Sequence, residues 1–226
     1  MKTRFGTALA LAAGIFASSA SNAAVLATYD LAGIVSASAL PLTSSAAGFS
    51  FSNLTGTNVN GTAFSNHYYS NGWGTVLDPN RYLSLTVNHA GSYSLGLMTF
   101  AVESTAGLPS FLYVRSSQDG FASNVDAFDW GSSDTLVTNG DFDLSGLGAL
   151  SGLTELRFYF TAASTTIDVG FANHEAPGAG AGLPDVGRDI VINGAAVADV
   201  PEPSALALFG IGLLALTARR RARNAG

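Results

Sequence analysis

Residues 82–87 read Tyr82-Leu-Ser-Leu-Thr-Val87. Leu83, Leu85 and Val87 fall on every second position, the period of a strand with one face in a core. Tyr93 to Val102 continues the theme after Gly91. Phe111-Leu-Tyr-Val-Arg115 puts Phe111 and Tyr113 on one side, Leu112 and Val114 on the other. Leu156, Phe158 and Phe160 share a face in 156–160, and Ile167-Asp-Val-Gly-Phe171 alternates as well. Asp189-Ile-Val-Ile192, Asn193-Gly194 and Ala195-Ala-Val197 read as a closing hairpin with a two-residue turn, because Asn-Gly favours such turns. Strands this regular, separated by Gly, Ser, Asn and Asp clusters, predict an all-β fold, an antiparallel β-sandwich. Ser145 to Leu156 is the one helical candidate, and its glycines favour a loop leading into a strand.

The 226 residues include no Cys, which removes disulfides, thiolate chemistry and Cys-ligated metals. Charge is distributed unevenly. Lys2 and Arg4 open the chain, and Arg219, Arg220, Arg221 and Arg223 close it. Between these clusters stand four cations, Arg81, Arg115, Arg157 and Arg188, against sixteen acids, a formal charge of −12. Such a surface repels phosphate backbones, so nucleic acid is not an expected partner.

Lys2 and Arg4 precede an apolar run from Phe5 to Ala17, then small residues ending Ser21-Asn22-Ala23. That is the form of a secretory signal peptide, residues 1–23, with cleavage expected after Ala23 or Ala24. The body is expected to span 24–199. At the other end, Val200-Pro201-Glu202-Pro203-Ser204 precedes a charge-free run, Ala205 to Ala218, and then the arginines. Fourteen helical residues cover about 21 Å of a hydrocarbon core about 30 Å thick. The run is apolar on all sides, the prolines break structure before it, and Arg219, Arg220, Arg221 and Arg223 form a stop-transfer flank. The expected frame is a β-sandwich between an N-terminal signal helix and a short C-terminal hydrophobic transmembrane helix.

The C-terminal segment 200–226, paired with the signal peptide, resembles a PEP-CTERM sorting signal. The same segment is also classed as an ice-binding-protein C-terminal domain, which implies nothing about ice. The resemblance implies a Gram-negative bacterium that makes exopolysaccharide, and an exosortase, a membrane-embedded cysteine transpeptidase-like enzyme, as processing partner. It implies a precursor tethered to the inner membrane and a product at the cell surface or in a biofilm matrix, lacking everything from about Ser204 onward. The body resembles the jelly-roll-like domains of such exported proteins, through Arg115-Ser-Ser-Gln-Asp-Gly-Phe121 and Ile190-Val-Ile-Asn-Gly194.

No catalytic residues are expected. His67, His89 and His174 are scattered, no GxSxG surrounds a serine, and His174-Glu175 is not followed by the second His of HExxH. No cofactor is expected. Calcium is the ion the carboxylates suit, with Asp126 and Asp129 flanking a loop, and Asp141 and Asp143 on one side of an extended segment. Tyr68, Tyr69, Trp73, Phe121, Phe128 and Trp130 lie in polar, glycine-rich stretches that could present a sugar platform, and Trp73 and Trp130 are the first choices. Three functions follow: a structural or adhesive component at the cell surface or in the exopolysaccharide matrix, a carbohydrate-binding module, and a carbohydrate-active hydrolase.

Overall fold

The computed structural model describes residues 23–32, 34, 38–59, 62–64, 67–104, 111–129, 137–162, 168–173 and 188–197. Residues 1–22 of the signal peptide, the sorting segment with its hydrophobic run, Trp130, His174 and Glu175, and the glycine-rich stretch 176–182 lie outside the described residues.

Fourteen strands are described: β1 (Ala24–Tyr29), β2 (Ala39–Leu40), β3 (Ser44–Ser45), β4 (Phe49–Phe51), β5 (Leu54–Thr57), β6 (Thr62–Phe64), β7 (His67–Ser70), β8 (Tyr82–Ser104), β9 (Phe111–Ser116), β10 (Asp126–Asp129), β11 (Thr138–Asp143), β12 (Leu150–Thr161), β13 (Val169–Ala172) and β14 (Ile190–Ala196). Single 3-10 turns occupy Ser117–Asp119 and Ser145–Leu147, so the helical candidate resolves into a turn followed by a strand. Every pairing among the described strands is antiparallel.

The 23-residue β8 makes this a sandwich, because it belongs to both layers. Its first half lies between β12 and the short β4 and β5, and the layer continues from β12 to β9 and β10. Its second half lies between β11 on one edge and β14 and β13 on the other, with β1 beyond β14 and β7 beyond β13. Two irregularities turn the strand from one layer into the other. Against β12 the register jumps from Ser92↔Ser151 to His89↔Gly152, so β8 carries Ala90 and Gly91 as extra residues. Gly152 sits there at φ 65°, a conformation glycine adopts freely. Against β14, Ile192 faces Met98 and Gly194 faces Leu95, so Asn193 alone stands opposite Gly96 and Leu97. The side-chain phase flips at that bulge. Tyr93 and Leu95 are buried before it, Met98, Phe100 and Val102 after it, and Leu97 faces out.

The layers meet through rings. Phe100 of β8, packed on Phe142 of the adjacent β11 at 4.8 Å, lies edge-on to Phe128 of β10 in the other layer at 5.5 Å. Phe171 of β13 meets Phe158 and Phe160 of β12 at 6.0 and 5.5 Å. Edge-to-face contacts of this kind add about 0.5–1.5 kcal/mol each beyond the area they bury.

One expectation fails. Residues 190–196 are a single strand, and Asn193-Gly194 makes no turn. Gly194 lies between β1 and β8, where a Cβ would stand 2.3 Å from the Ser94 carbonyl oxygen and 2.6 Å from Leu26 Cδ1. The glycine answers a need for close backbone approach, and the turn signal is a coincidence of composition.

Candidate functional site

Leu156, Phe158 and Phe160 point into the core, so the alternate residues of β12, Glu155, Arg157 and Tyr159, face the other way. On β8 the same outer face carries Tyr82, and on β9 it carries Phe111, Tyr113 and Arg115. Register then brings these residues together. Tyr159 pairs with Tyr113, and Arg157 pairs with Arg115. Phe158 pairs with Leu83, which sets Tyr82 beside Tyr159 with ring centroids 5.8 Å apart. Three tyrosines thus form a row across three adjacent strands, about 10 Å from first to last. Phe111 stacks on Tyr113 at 6.0 Å and an interplanar angle of 16°. Tyr159 is 1% exposed and stands outside the core cluster, so it is the floor of the row, and the half-buried Tyr82, Tyr113 and Phe111 flank it.

Beside this row runs a cationic one. The Arg157 guanidinium lies 3.6 Å from the Phe121 ring centroid and 4.1 Å from that of Tyr82. Its Nε donates to Glu155 Oε1 at 2.7 Å. Burial works against the Arg157 charge, but the hydrogen bond and attraction of Glu155, with Tyr159 and Tyr82 adding, raise its pKa above the ordinary value. Arg115 lies 5.5 Å from the Tyr159 ring, and its Nε and Nη1 donate to Asn124 Oδ1 at 2.8 Å and the Phe121 carbonyl at 3.0 Å. Burial also lifts the Tyr159 phenol, with Arg157 and Arg115 opposing.

The loop after β9 explains how Phe121 reaches Arg157. Ser116 caps the 3-10 turn, Gly120 takes φ 69°, and Phe121 itself takes φ 64°. The Asp119 carboxylate accepts from the backbone of Ala122 and Ser123 and from the Ser123 hydroxyl. That hydroxyl, with the backbone donors behind it, holds its pKa below the ordinary carboxylate value. Gln118, Asp119, Ser123 and Asn124 line a polar recess of about 320 Å³ closed by Gly146 and Leu147.

The expected site residues disperse. Trp73 is 1% exposed, packs on Phe160 at 5.3 Å, and donates its indole N–H to Ser70. Its ring is a core ring, which corrects its reading as a surface platform. Tyr68 is likewise buried, with its hydroxyl on the Ser38 carbonyl. Phe128 packs against Phe100. Of the expected aromatics, Phe121 alone is placed on the tyrosine face by its described contacts. Asp126 and Asp129 open and close a strand and do not flank a loop. Asp126 accepts from the Asp143 N–H at 2.8 Å, and Asp143 accepts from the Ser145 N–H at 2.9 Å. Asp141 and Asp143 do share the exposed side of β11. Among the described residues no three His, Asp or Glu side chains gather around a common point for a metal ion. His67 is buried 2.8 Å from Glu103, and His89 stacks on Phe49 at 4.4 Å beside the β8 bend. Tyr82, Tyr113, Tyr159 and Arg157 were missed. Their signal was present, since each occupies the off-core phase of an alternating strand, but which strands adjoin is not written in that phase.

Residues 199–221 match the PEP-CTERM protein-sorting motif. A signal of this kind implies export, a membrane-anchored precursor and processing by an exosortase. No helix among the described residues is long and apolar enough to cross a membrane. No curated protein matches the chain. Among solved structures, a family 36 carbohydrate-binding module in complex with calcium and xylotriose is 13% identical, with 53% of this chain and 87% of that one covered, at TM-score 0.35. A family 29 carbohydrate-binding module from Piromyces equi is 12% identical over 79% and 95%, at TM-score 0.37. The K3 cleaved adhesin domain of Lys-gingipain from Porphyromonas gingivalis w83 is 12% identical over 75% and 98%, at TM-score 0.41. At scores of this size the likeness says nothing about what this chain binds.

Proposed function

We propose that this chain is an exported, non-catalytic protein of the cell surface or exopolysaccharide matrix, and that its β-sandwich adheres to polysaccharide through the outer face of β8, β12 and β9. The supporting observation is the set of half-buried rings Tyr82, Tyr113 and Phe111, aligned by register on either side of the covered Tyr159. Sugar rings present C–H groups that lie on aromatic faces, while their hydroxyls need polar partners at the edges. Arg115, Arg157, Glu155 and the recess around Asn124 supply such partners. The sorting motif favours a location where polysaccharide is at hand.

Geometry favours binding over hydrolysis. Glycosidases set two carboxyl groups about 5–9.5 Å apart. Among the described residues, the loop carboxylate Asp119 is tied to Ala122 and Ser123, and the strand carboxylates of this face are Glu155, engaged with Arg157, and Asp129, which pairs with Phe111 and so lies level with Thr161. Six residues of strand separate those levels, about 20 Å.

Tyr82→Ala and Tyr113→Ala tests this reading by affinity electrophoresis in gels carrying polysaccharide. Retardation of the wild-type protein is expected to fall by about tenfold in affinity for the pair, from about 0.5–1.5 kcal/mol per lost stacking contact. Unchanged retardation of a double variant with a wild-type melting curve would refute it.

A further inference from the structure

We infer that the polysaccharide this face takes is anionic, carrying uronic-acid carboxylates, and that Arg115 and Arg157 recognise those groups. The inference rests on the preceding reading of the face as a polysaccharide site, and it goes further by naming the class of sugar.

The first support is where the cations are. Between Ala24 and Asp199 the chain has fifteen acids and four arginines. Two of those four stand directly opposite each other on neighbouring strands. Like charges in that relation destabilise a sheet. The core faces of the same strands are filled by Val114, Leu156 and Phe158 and need no charge. This acidic domain puts half its cations side by side on an aromatic face, with Glu155 bound to Arg157, Asp129 at the far end of the face and Asp119 in the adjoining recess.

The second support is preorganisation. Arg157 is held between the Phe121 and Tyr82 rings and fixed at its edge by Glu155. Arg115 is fixed by Asn124 and the Phe121 carbonyl. Each guanidinium has five N–H donors in a planar fork, and these bonds leave donors on both. A fork already immobilised loses little rotamer freedom when a carboxylate arrives, and it suits the bidentate geometry of that group. A neutral sugar uses the rings equally well but gives no return on two opposed cations. A polyuronate lays its sugar rings on the half-buried Tyr113 and Phe111 and its carboxylates on the neighbouring arginines.

The test uses the mature exported protein and affinity electrophoresis against polygalacturonate, alginate and hyaluronan, the carboxyl-reduced form of each, and the neutral polymers xylan and laminarin. Retardation by at least one acidic polymer is expected, with affinity lower by about tenfold after carboxyl reduction and in Arg115→Gln and Arg157→Gln. The wild-type comparison of native and reduced polymer carries the result even where an arginine variant fails to fold. Equal retardation by native and reduced polymer, or retardation by neutral polymers alone, overturns the anionic inference and leaves the polysaccharide reading standing. Retardation by none of the polymers overturns both.

Discussion

Gly194→Asn separates two readings of one dipeptide, and Gly194→Ala measures the cost of the added Cβ. If Asn193-Gly194 were the turn of a hairpin, asparagine at 194 would cost little, since such turns accept asparagine at positive φ, whereas alanine is strained there. In the structure the added Cβ stands 2.3 Å from the Ser94 carbonyl oxygen, 2.6 Å from Leu26 Cδ1 and 3.2 Å from Leu95 Cα. Two of those three atoms are backbone of β8, so no rotamer change relieves them, and β14 must move away from β8 by about an ångström to reach ordinary contact. Overpacking costs about 1–3 kcal/mol, and backbone contacts put this case at the upper end. The entropy that alanine removes from the unfolded chain returns about 0.4–1 kcal/mol. A net loss of about 2–3 kcal/mol lowers the melting temperature by about 4–12 °C in a domain of this size. Gly146→Ala is the internal control, because a Cβ there meets nothing within 4 Å and its φ is not left-handed. Its effect is expected within about 0.5 kcal/mol. Thermal unfolding followed by circular dichroism decides the matter. A Gly194→Ala or Gly194→Asn variant melting within about 2 °C of wild type would falsify the close-packing account.

Two further outcomes follow from burial. Trp73→Ala is expected to cost about 3–5 kcal/mol of stability, because the ring fills core space against Phe160 and its N–H bonds to Ser70 are lost; denaturant titration reads the loss, and an unchanged midpoint overturns the core assignment. Stability is also expected to fall in alkali. Burial raises the Tyr29 phenol, pushes Tyr68 up to about 12, and raises Tyr159. The folded state therefore holds these protons where unfolded tyrosine, near pKa 10, has released them, so their contribution is complete below about pH 10 and disappears as pH rises through the folded values. Melting temperatures between pH 9 and pH 12 should decline, and a flat profile across that range contradicts the burial-driven shifts.

By itself the sequence determined the local character of most of the body. Alternation at 82–87, 111–115 and 156–160 specifies strands with one core face, because a period of two has no other compact solution when leucine and phenylalanine occupy one phase. It also determined the sorting segment, whose motif is contiguous and needs no fold to be read. Tertiary structure decided what alternation leaves open. The phase of β8 inverts at the Gly96–Leu97 bulge, and that bulge exists only relative to Asn193, almost a hundred residues away. Trp73 and Tyr82 are aromatic residues nine positions apart in polar surroundings, yet one is a core ring and the other a surface ring, because the neighbours that cover Trp73 come from β7 and β12. The tyrosine and arginine rows are likewise a property of pairing. Each strand contributes one or two side chains, and only the register of β8, β12 and β9, set by burial on the opposite face, aligns them into a surface.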